Sequence, residues 1–337
     1  MKKLFVTGGA GFIGSNFIRY WLVAHPESEV VNFDKLTYAG NLSSLQDIAD
    51  NPRYRFVQGD ICDAAAVEKA MAGCDTVVHF AAETHVDRSV TSPMDFVHTN
   101  LVGTANLLQA ERASGNLRFH HISTDEVFGS LELDGSDKFD EHTPYDPRSP
   151  YSASKAGSDH LVRAFHETYG LPVTISNCSN NYGAYHYPEK LFPLAITNLL
   201  EGKNVPVYGS GLQIRDWLHV EDHARAIDLI LQKGIIGETY CIGGMNKDIT
   251  NLDAVRAMLS IMSLDESRIE YVTDRPGHDQ RYSVNWSKMH RELGWSPLCT
   301  FEEGLTQTIE WYKNNDWWWK PIKNGEFKQY YDTQYAK

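Results

Sequence analysis

The sequence predicts an α/β fold, a doubly wound parallel sheet covered by helices on both faces, followed by a smaller, loop-rich C-terminal unit. Lys3–Thr7, Glu29–Phe33, Tyr54–Val57, Thr76–Phe80, Phe119–Ser123 and Val173–Asn177 are short, β-branched apolar runs, each followed by a longer stretch with helical spacing. These runs are nearly solid rather than alternating, as in strands buried on both faces. Strand–helix alternation of this kind winds into a parallel sheet. Turn signals agree, because Asn51-Pro52, Gly73, Gly115-Asn116 and Gly170-Leu171-Pro172 each separate a helical stretch from the next apolar run.

The first strand runs into Thr7-Gly8-Gly9-Ala10-Gly11-Phe12-Ile13-Gly14 ahead of a helix. Glycines there allow a tight turn and a close approach of the backbone to a pyrophosphate seated on the helix N-terminus, the Rossmann arrangement. The spacing is G-x-x-G-x-x-G rather than the general G-x-G-x-x-G. Gly8, Gly11, Phe12, Ile13 and Gly14 are therefore candidate cofactor contacts. Asp34, twenty residues past Gly14, ends the second strand. An acid there accepts hydrogen bonds from ribose hydroxyls and repels a 2′-phosphate, which favours NAD over NADP. Lys35 pulls the other way. After the third strand, Asp60 is placed to hydrogen-bond the adenine, and Asp63 is the better cap for the following helix.

The fifth strand leads into Ser123-Thr124-Asp125-Glu126, which puts two adjacent carboxyls at the sheet edge where ligands bind in open α/β folds. Tyr151-Ser152-Ala153-Ser154-Lys155 then places a Tyr and a Lys four apart on a helix, one turn apart on one face. A phenol titrates near ~10, and neighbouring positive charge makes it a usable base.

Beyond Asn177 the rhythm breaks. Tyr, Pro and Gly crowd Asn180–Pro193 and Pro206–Gly211, which read as pocket-building loops. Phe301–Asn315 reads as an amphipathic helix, and the unassigned Trp317-Trp318-Trp319 follows it. The expected division is a dinucleotide-binding unit over residues 1–176, with a chain return near 213–245, and a mainly substrate-binding unit over 177–337.

The 337 residues carry 31 basic and 44 acidic side chains, a net charge of −13 that argues against a nucleic-acid or anionic-membrane partner. Five scattered cysteines without a C-x-x-C pair suggest free thiols rather than disulfides or zinc. His219-Val220-Glu221-Asp222-His223 departs from H-E-x-x-H, so no metal is expected. With no membrane span or cleavable leader apparent, the expected location is the cytoplasm.

These features resemble the extended short-chain dehydrogenase/reductase family over essentially the whole chain, and within it the nucleotide-sugar dehydratases. The stretches that carry the resemblance are Asp34–Asn41, Ala81–Ser89, Ser123–Gly129, Asn177–Gly183, Arg215-Asp216-Trp217 and Arg275–Asp279. Two departures are Thr84 in place of the usual Ser, which keeps the hydroxyl, and Ala184 in place of Pro.

The resemblance implies a tightly held NAD, contacted also by Leu36, Thr37, Ile61, Ala81, Ala82, Thr99 and Asn181, and regenerated in each turnover. It implies that Tyr151 takes a sugar C4 hydroxyl proton, Lys155 holds the ribose and lowers the Tyr pKa, and Thr124 hydrogen-bonds the reacting oxygen. A ketone at C4 acidifies the C5 proton, so Glu126 becomes the C5 base while Asp125 protonates the departing C6 oxygen. Adjacent carboxyls titrate as a coupled pair. The implied substrate is a nucleotide-diphosphate hexose contacted by Thr84, Asn180, Lys190, Leu191, Pro206, Tyr208, Arg215, Asn251, Arg275 and His278. Arg215, Lys190 and Arg275 would neutralise the diphosphate. Thymidine and uridine stay open, since one methyl is worth roughly 1 kcal/mol. The acid pair argues against a 4-epimerase, and the retained Tyr and Lys argue against a purely binding role. A homodimer is implied through the helices near Pro93–Ser114 and Tyr151–Tyr169.

Overall fold

The computed structural model describes residues 1–325 except 116, 245–246 and 275–276. The first part of the chain runs β1 (Lys3–Thr7), α1 (Phe12–Ala24), β2 (Glu29–Asp34), β3 (Tyr54–Gln58), α2 (Ala64–Met71), β4 (Thr76–His79), α3 (Val86–Thr91), α4 (Pro93–Phe96), a π-helical stretch (Val97–Gly103), α5 (Thr104–Ala113), β5 (Arg118–Thr124), α6 (Pro150–Tyr169) and β6 (Val173–Cys178). Each of the apolar runs is a strand, displaced by at most a residue at either end.

The second part comprises β7 (Asn180–Tyr182), α7 (Leu191–Leu200), β8 (Val205–Tyr208), β9 (Ile214–Arg215), β10 (Trp217–His219), α8 (Val220–Lys233), β11 (Thr239–Ile242), β12 (Ile249–Thr250), α9 (Asn251–Ile261), β13 (Ile269–Val272), α10 (Ser287–Leu293), α11 (Phe301–Asn314) and α12 (Asp316–Asn324). Three of these differ from the loops expected there: Asn180–Tyr182 is a short strand paired with β10. Leu191–Leu200 is a helix with Pro193 in its first turn, where a missing N–H costs nothing, and Val205–Tyr208 pairs with β13.

Seven strands form one parallel sheet in the order β11-β6-β5-β4-β1-β2-β3. On one face Phe17, Ile18 and Trp21 of α1 meet Ala224, Ile227 and Leu231 of α8 over Leu4 and Val6. On the other, Val67, Leu107, Leu108 and Val162 of α2, α5 and α6 pack on Phe5, Val31, Val77 and Phe119. The order reverses beside β1, and the crevice this opens at the carboxyl ends of the strands is where such folds bind ligands.

A separate core joins Tyr182, Phe192, Ile196, Trp217, Met258, Ile309, Trp318 and Trp319. Of the Trp run, Trp318 donates its indole N–H to Ser44 (3.0 Å) and Trp319 to the Tyr312 carbonyl (2.8 Å), so both serve packing. Among the described residues, no helix is long and apolar enough to cross a membrane.

α6 explains its own placement. Ser149 and Ser152 form a reciprocal capping box, Pro150 occupies the first turn, and Gly170 closes the helix in the left-handed conformation at φ 72°.

Candidate active site

A cavity of about 420 Å³ lies along the carboxyl ends of the strands. Its first wall is the glycine turn. Gly8 has φ 71°, and a Cβ there would stand 2.5 Å from the Ala81 nitrogen; a Cβ on Gly14 would stand 2.4 Å from the Gly8 carbonyl oxygen. α1 starts at Gly11 with no side-chain cap, which leaves its first N–H groups for an anion. Gly11, Phe12, Ile13 and Gly14 line the cavity. The cradle fits a dinucleotide pyrophosphate.

Asp34 accepts from the Ala10 N–H (2.9 Å) through Oδ2 and from the Leu36 N–H (2.8 Å) through Oδ1, so it braces the glycine turn as well as lining the cavity. Burial raises its pKa against these two N–H donors. Lys35, the residue that could welcome a 2′-phosphate, is paired with Asp60 at 2.7 Å. Burial pushes Asp60 up, but the Lys35 ammonium and the Cys62 N–H outweigh it and hold the carboxyl below its ordinary value. Asp63, not Asp60, caps α2, accepting from the Ala66 N–H at 3.0 Å.

Thr37, Ile61, Ala81, Ala82, Thr99 and Asn181 also line the cavity. Leu36 does not: at φ 59° its backbone turns left-handed and its side chain packs with the α1 cluster. Asn181 Oδ1 accepts from His223 Nδ1 at 2.9 Å, so that histidine is a structural partner.

β5 delivers Thr124, whose hydroxyl caps the following 3₁₀ turn, Asp125–Phe128, by accepting from the Glu126 N–H at 3.2 Å. The same hydroxyl hydrogen-bonds the Tyr151 phenol. Thr124, Glu126, Tyr151 and Lys155 all line the cavity. Burial pushes the Tyr151 pKa well up and Glu126 and Cys178 push it further, with the Thr124 hydroxyl opposing them. Lys155 donates Nζ–H to the Ile122 carbonyl at 2.8 Å and is itself lowered by burial, with Asp159 opposing.

The adjacent acids are not equivalent. Glu126 faces the cavity, whereas Asp125 sits behind its wall, 1% exposed. The Thr124 hydroxyl donates to Asp125 Oδ1 at 3.3 Å, and Oδ2 has no hydrogen-bond partner among the described residues. Burial, then Glu126 and Asp216, push the Asp125 pKa well above the carboxylate range, with Arg215 opposing. Such a carboxyl keeps its proton.

The far end of the cavity gathers Thr84, Asn180, Lys190, Leu191, Pro206, Tyr208, Arg215, Asn251 and His278. Arg215 is held by the Ile214 (2.8 Å) and Asp279 (3.0 Å) carbonyls, with its guanidinium 4.3 Å from the Tyr282 ring centroid. Lys190 donates to the Thr84 carbonyl at 3.1 Å, and His278 pairs with Asp274 at 2.6 Å. Asn180 keeps a buried Oδ1 with no hydrogen-bond partner among the described residues. Arg275 lies outside the described residues.

Several lining residues carry no short-range signal in the sequence. Glu189 accepts from Tyr38 (3.0 Å) and Arg88 (3.4 Å), tying the loop after β2 to α3 and to Lys190. His186 stacks on Phe12 with ring centroids 4.1 Å apart. The Tyr182–Trp217 core could have been suspected from its aromatic crowding; the Glu189 contacts, more than a hundred residues apart, could not.

A family model described as GDP-mannose 4,6 dehydratase matches residues 5–308. A dTDP-glucose 4,6-dehydratase of Neisseria meningitidis serogroup B is 53% identical over 97% of this chain and 98% of its own. A crystal structure of the dTDP-glucose 4,6-dehydratase of Streptomyces venezuelae, with NAD and TYD bound, superposes with a TM-score of 0.92 at 49% identity, covering 95% of this chain and all (100%) of that one. The Bacillus anthracis enzyme of the same name, in complex with NAD, gives a TM-score of 0.90 at 46% identity over 96% and 100% of the two chains. On this likeness, which takes in the glycine turn, the acid pair and the Tyr/Lys helix together, the chain belongs to the dTDP-glucose 4,6-dehydratases of the extended short-chain dehydrogenase/reductase family.

Proposed function

We infer that the protein is an NAD-dependent hydro-lyase that converts dTDP-glucose to dTDP-4-keto-6-deoxyglucose and water. The observation that carries this reading is the pair of unlike carboxyls after β5, beside Tyr151 and Lys155. The glycine turn, Asp34, Asp60, Thr99 and Lys155 would hold NAD, which when bound brings positive charge, takes the C4 hydride and returns it to C6, so that no net oxidation results.

Tyr151 Oη takes the C4 hydroxyl proton, while Thr124 hydrogen-bonds the oxygen that becomes the ketone. Burial and the neighbouring acids hold the Tyr151 pKa up in the cofactor-free site, so its action as a base draws on the positive charge that NAD would bring when bound, together with the Lys155 ammonium one helical turn away. Glu126, the acid exposed to the cavity, removes the C5 proton. Asp125, kept protonated by burial, supplies the proton with which the C6 hydroxyl leaves as water; its contact with the cavity wall is through Thr124. Glu126 then returns its proton to C5. Arg215 and Lys190 neutralise the diphosphate, with Asn180, Asn251 and His278 around it.

The protein works in the cytoplasm, whose reducing conditions suit five free thiols, and supplies deoxysugar synthesis. It pairs as a homodimer through the helices of Pro93–Ser114 and α6, a reading supported by Met94 and Val102, exposed by 69% and 41%. Purified protein incubated with dTDP-, UDP- and GDP-hexoses should lose one water from dTDP-glucose, read by mass spectrometry. Failure to dehydrate any of them would overturn the reading.

A further inference from the structure

The face of α6 that carries Tyr151 and Lys155 continues at the same four-residue spacing to Asp159 and Arg163. We propose that Asp159 is a positioning residue of the dehydration: it keeps Lys155 an ammonium inside the protein and fastens the ends of β5 and β6 to α6. The proposal rests on the dehydratase reading and adds a residue to it.

Asp159 is fully buried. Its Oδ2 accepts from Ser123 Oγ (2.8 Å), Tyr145 Oη (2.8 Å) and Asn177 Nδ2 (3.2 Å), and its Oδ1 lies 3.2 Å from His121 Nε2. Asn177 Nδ2 also donates to the Thr124 carbonyl at 3.1 Å. One carboxylate thus ties the residue before Thr124, the segment that carries Tyr145, and β6 to the helix bearing Tyr151 and Lys155. Thr124 cannot shift relative to Tyr151 without breaking these bonds.

A carboxylate in the interior needs compensation by positive charge. Against burial, the His121 ring does most to hold the Asp159 carboxyl below its ordinary value, with the Lys155 ammonium and then Ser123 after it; burial pushes His121 itself down to about 4, which leaves it uncharged near neutral pH. Arg163 donates to the Tyr145 hydroxyl (3.0 Å) rather than to Asp159. Lys155 stands one turn away with its Nζ on the carbonyl of Ile122, next to Ser123. The titratable groups that interact with Lys155 are Asp159 of α6, His79 of β4, His121 of β5 and Cys178 of β6, with Tyr151 one turn before it on α6. Cys178 is pushed up to about 12 by burial and stays a thiol. Asp159 is the anion that offsets the burial of Lys155.

Asp159→Asn in the NAD-loaded enzyme tests this. The alkaline limb of the C4-oxidation step, read as reduced cofactor formed in a single turnover so that the Asp125-dependent elimination does not enter, should move to lower pH by about one to three units, the range expected when an opposite charge nearby is removed, while KM for the sugar nucleotide holds. Asp159→Glu should move the limb back towards that of the parent. A purely structural residue would slow that step at every pH and leave the limb in place, and that result would overturn the proposal. Thermal unfolding gives an independent reading should Asp159→Asn fold poorly. Removing both charges in Lys155→Met/Asp159→Asn should give a protein at least as stable as Asp159→Asn alone, because no unpaired charge remains inside. A double variant melting below both single ones would overturn the pairing. Should the parent not dehydrate dTDP-glucose at all, the functional reading falls, and the unfolding cycle still decides the pair.

Discussion

Replacing Asp125 with Asn removes one proton and almost nothing else. The amide keeps the volume of the carboxyl and the acceptor that the Thr124 hydroxyl uses at 3.3 Å. It cannot protonate a leaving oxygen. A positioned general acid is worth about 10²–10⁴ in rate, or roughly 3–5 kcal/mol of barrier. Asp125 should supply most of that range, because burial and the neighbouring Glu126 hold its proton in place at neutral pH. The expected result is a kcat lowered by about two to four orders of magnitude, with C4 oxidation intact. Rapid quenching and mass spectrometry should then find a 4-keto sugar that has kept its water, and in deuterated water its C5 hydrogen should exchange. Glu126→Gln should be as slow, but without C5 exchange. The parent reaction needs the acid form of Asp125, so its elimination step should persist through neutral pH and fall as pH rises past that raised pKa. An Asp125→Asn enzyme that eliminates water at the parental rate would refute the assignment, as would C5 exchange surviving in Glu126→Gln.

Gly14→Ala would set a Cβ 2.4 Å from the Gly8 carbonyl oxygen; the turn should open and bound NAD should be lost on gel filtration, measured as cofactor per chain. Asp60→Asn would release Lys35 from its 2.7 Å partner, so binding of NADP should improve about tenfold or more relative to NAD, one phosphate–ammonium contact being worth a kcal/mol or more. Glu111, fully buried, has both carboxylate oxygens unpartnered among the described residues, and burial pushes it up to about 8. Its folded pKa lies above the ordinary ~4.3, so stability should decline as pH rises between those values and level off above about 8. Glu111→Gln should therefore match the parent in thermal melts at low pH and exceed it increasingly up to about that pH.

Six of the seven strands of the large sheet were legible because a buried parallel strand reads as a short, nearly solid apolar run; the seventh, β11, was not read, because Thr239-Tyr240-Cys241-Ile242 is too short and too mixed to stand out. The glycine turn and the Tyr151/Lys155 spacing were legible for a similar reason: each is a local geometric requirement. α7 was missed because Pro193 and the aromatic residues before it read as loop, although Pro in a first turn also starts helices. β8 was missed because Pro206 interrupts a run that pairs on one side only, with β13. Long-range partners were out of reach. The Lys35–Asp60 pair that settles a charge left open in the sequence spans two strands, and Glu189 meets Arg88 only once the second part of the chain folds back.

The acid pair shows why chemical roles were harder to read than positions. Two neighbouring carboxyls in a sequence are alike, and nothing local distinguishes donor from acceptor of a proton. The 3₁₀ turn after β5 separates them by sending Glu126 into the cavity and Asp125 back into the protein. There Asp125 meets the field of Asp216, whose own oxygens are held by the N–H groups of Gly244 (3.0 Å) and Val284 (3.2 Å), and of Arg215 beside it. A negative neighbour fixed by backbone donors keeps a buried acid protonated, while the cavity-facing partner retains access to the substrate. The difference in proton affinity that elimination requires thus comes first from the burial of Asp125 and from Glu126 beside it, with Asp216, some ninety positions along the chain, adding to the rise and Arg215 of β9 opposing it.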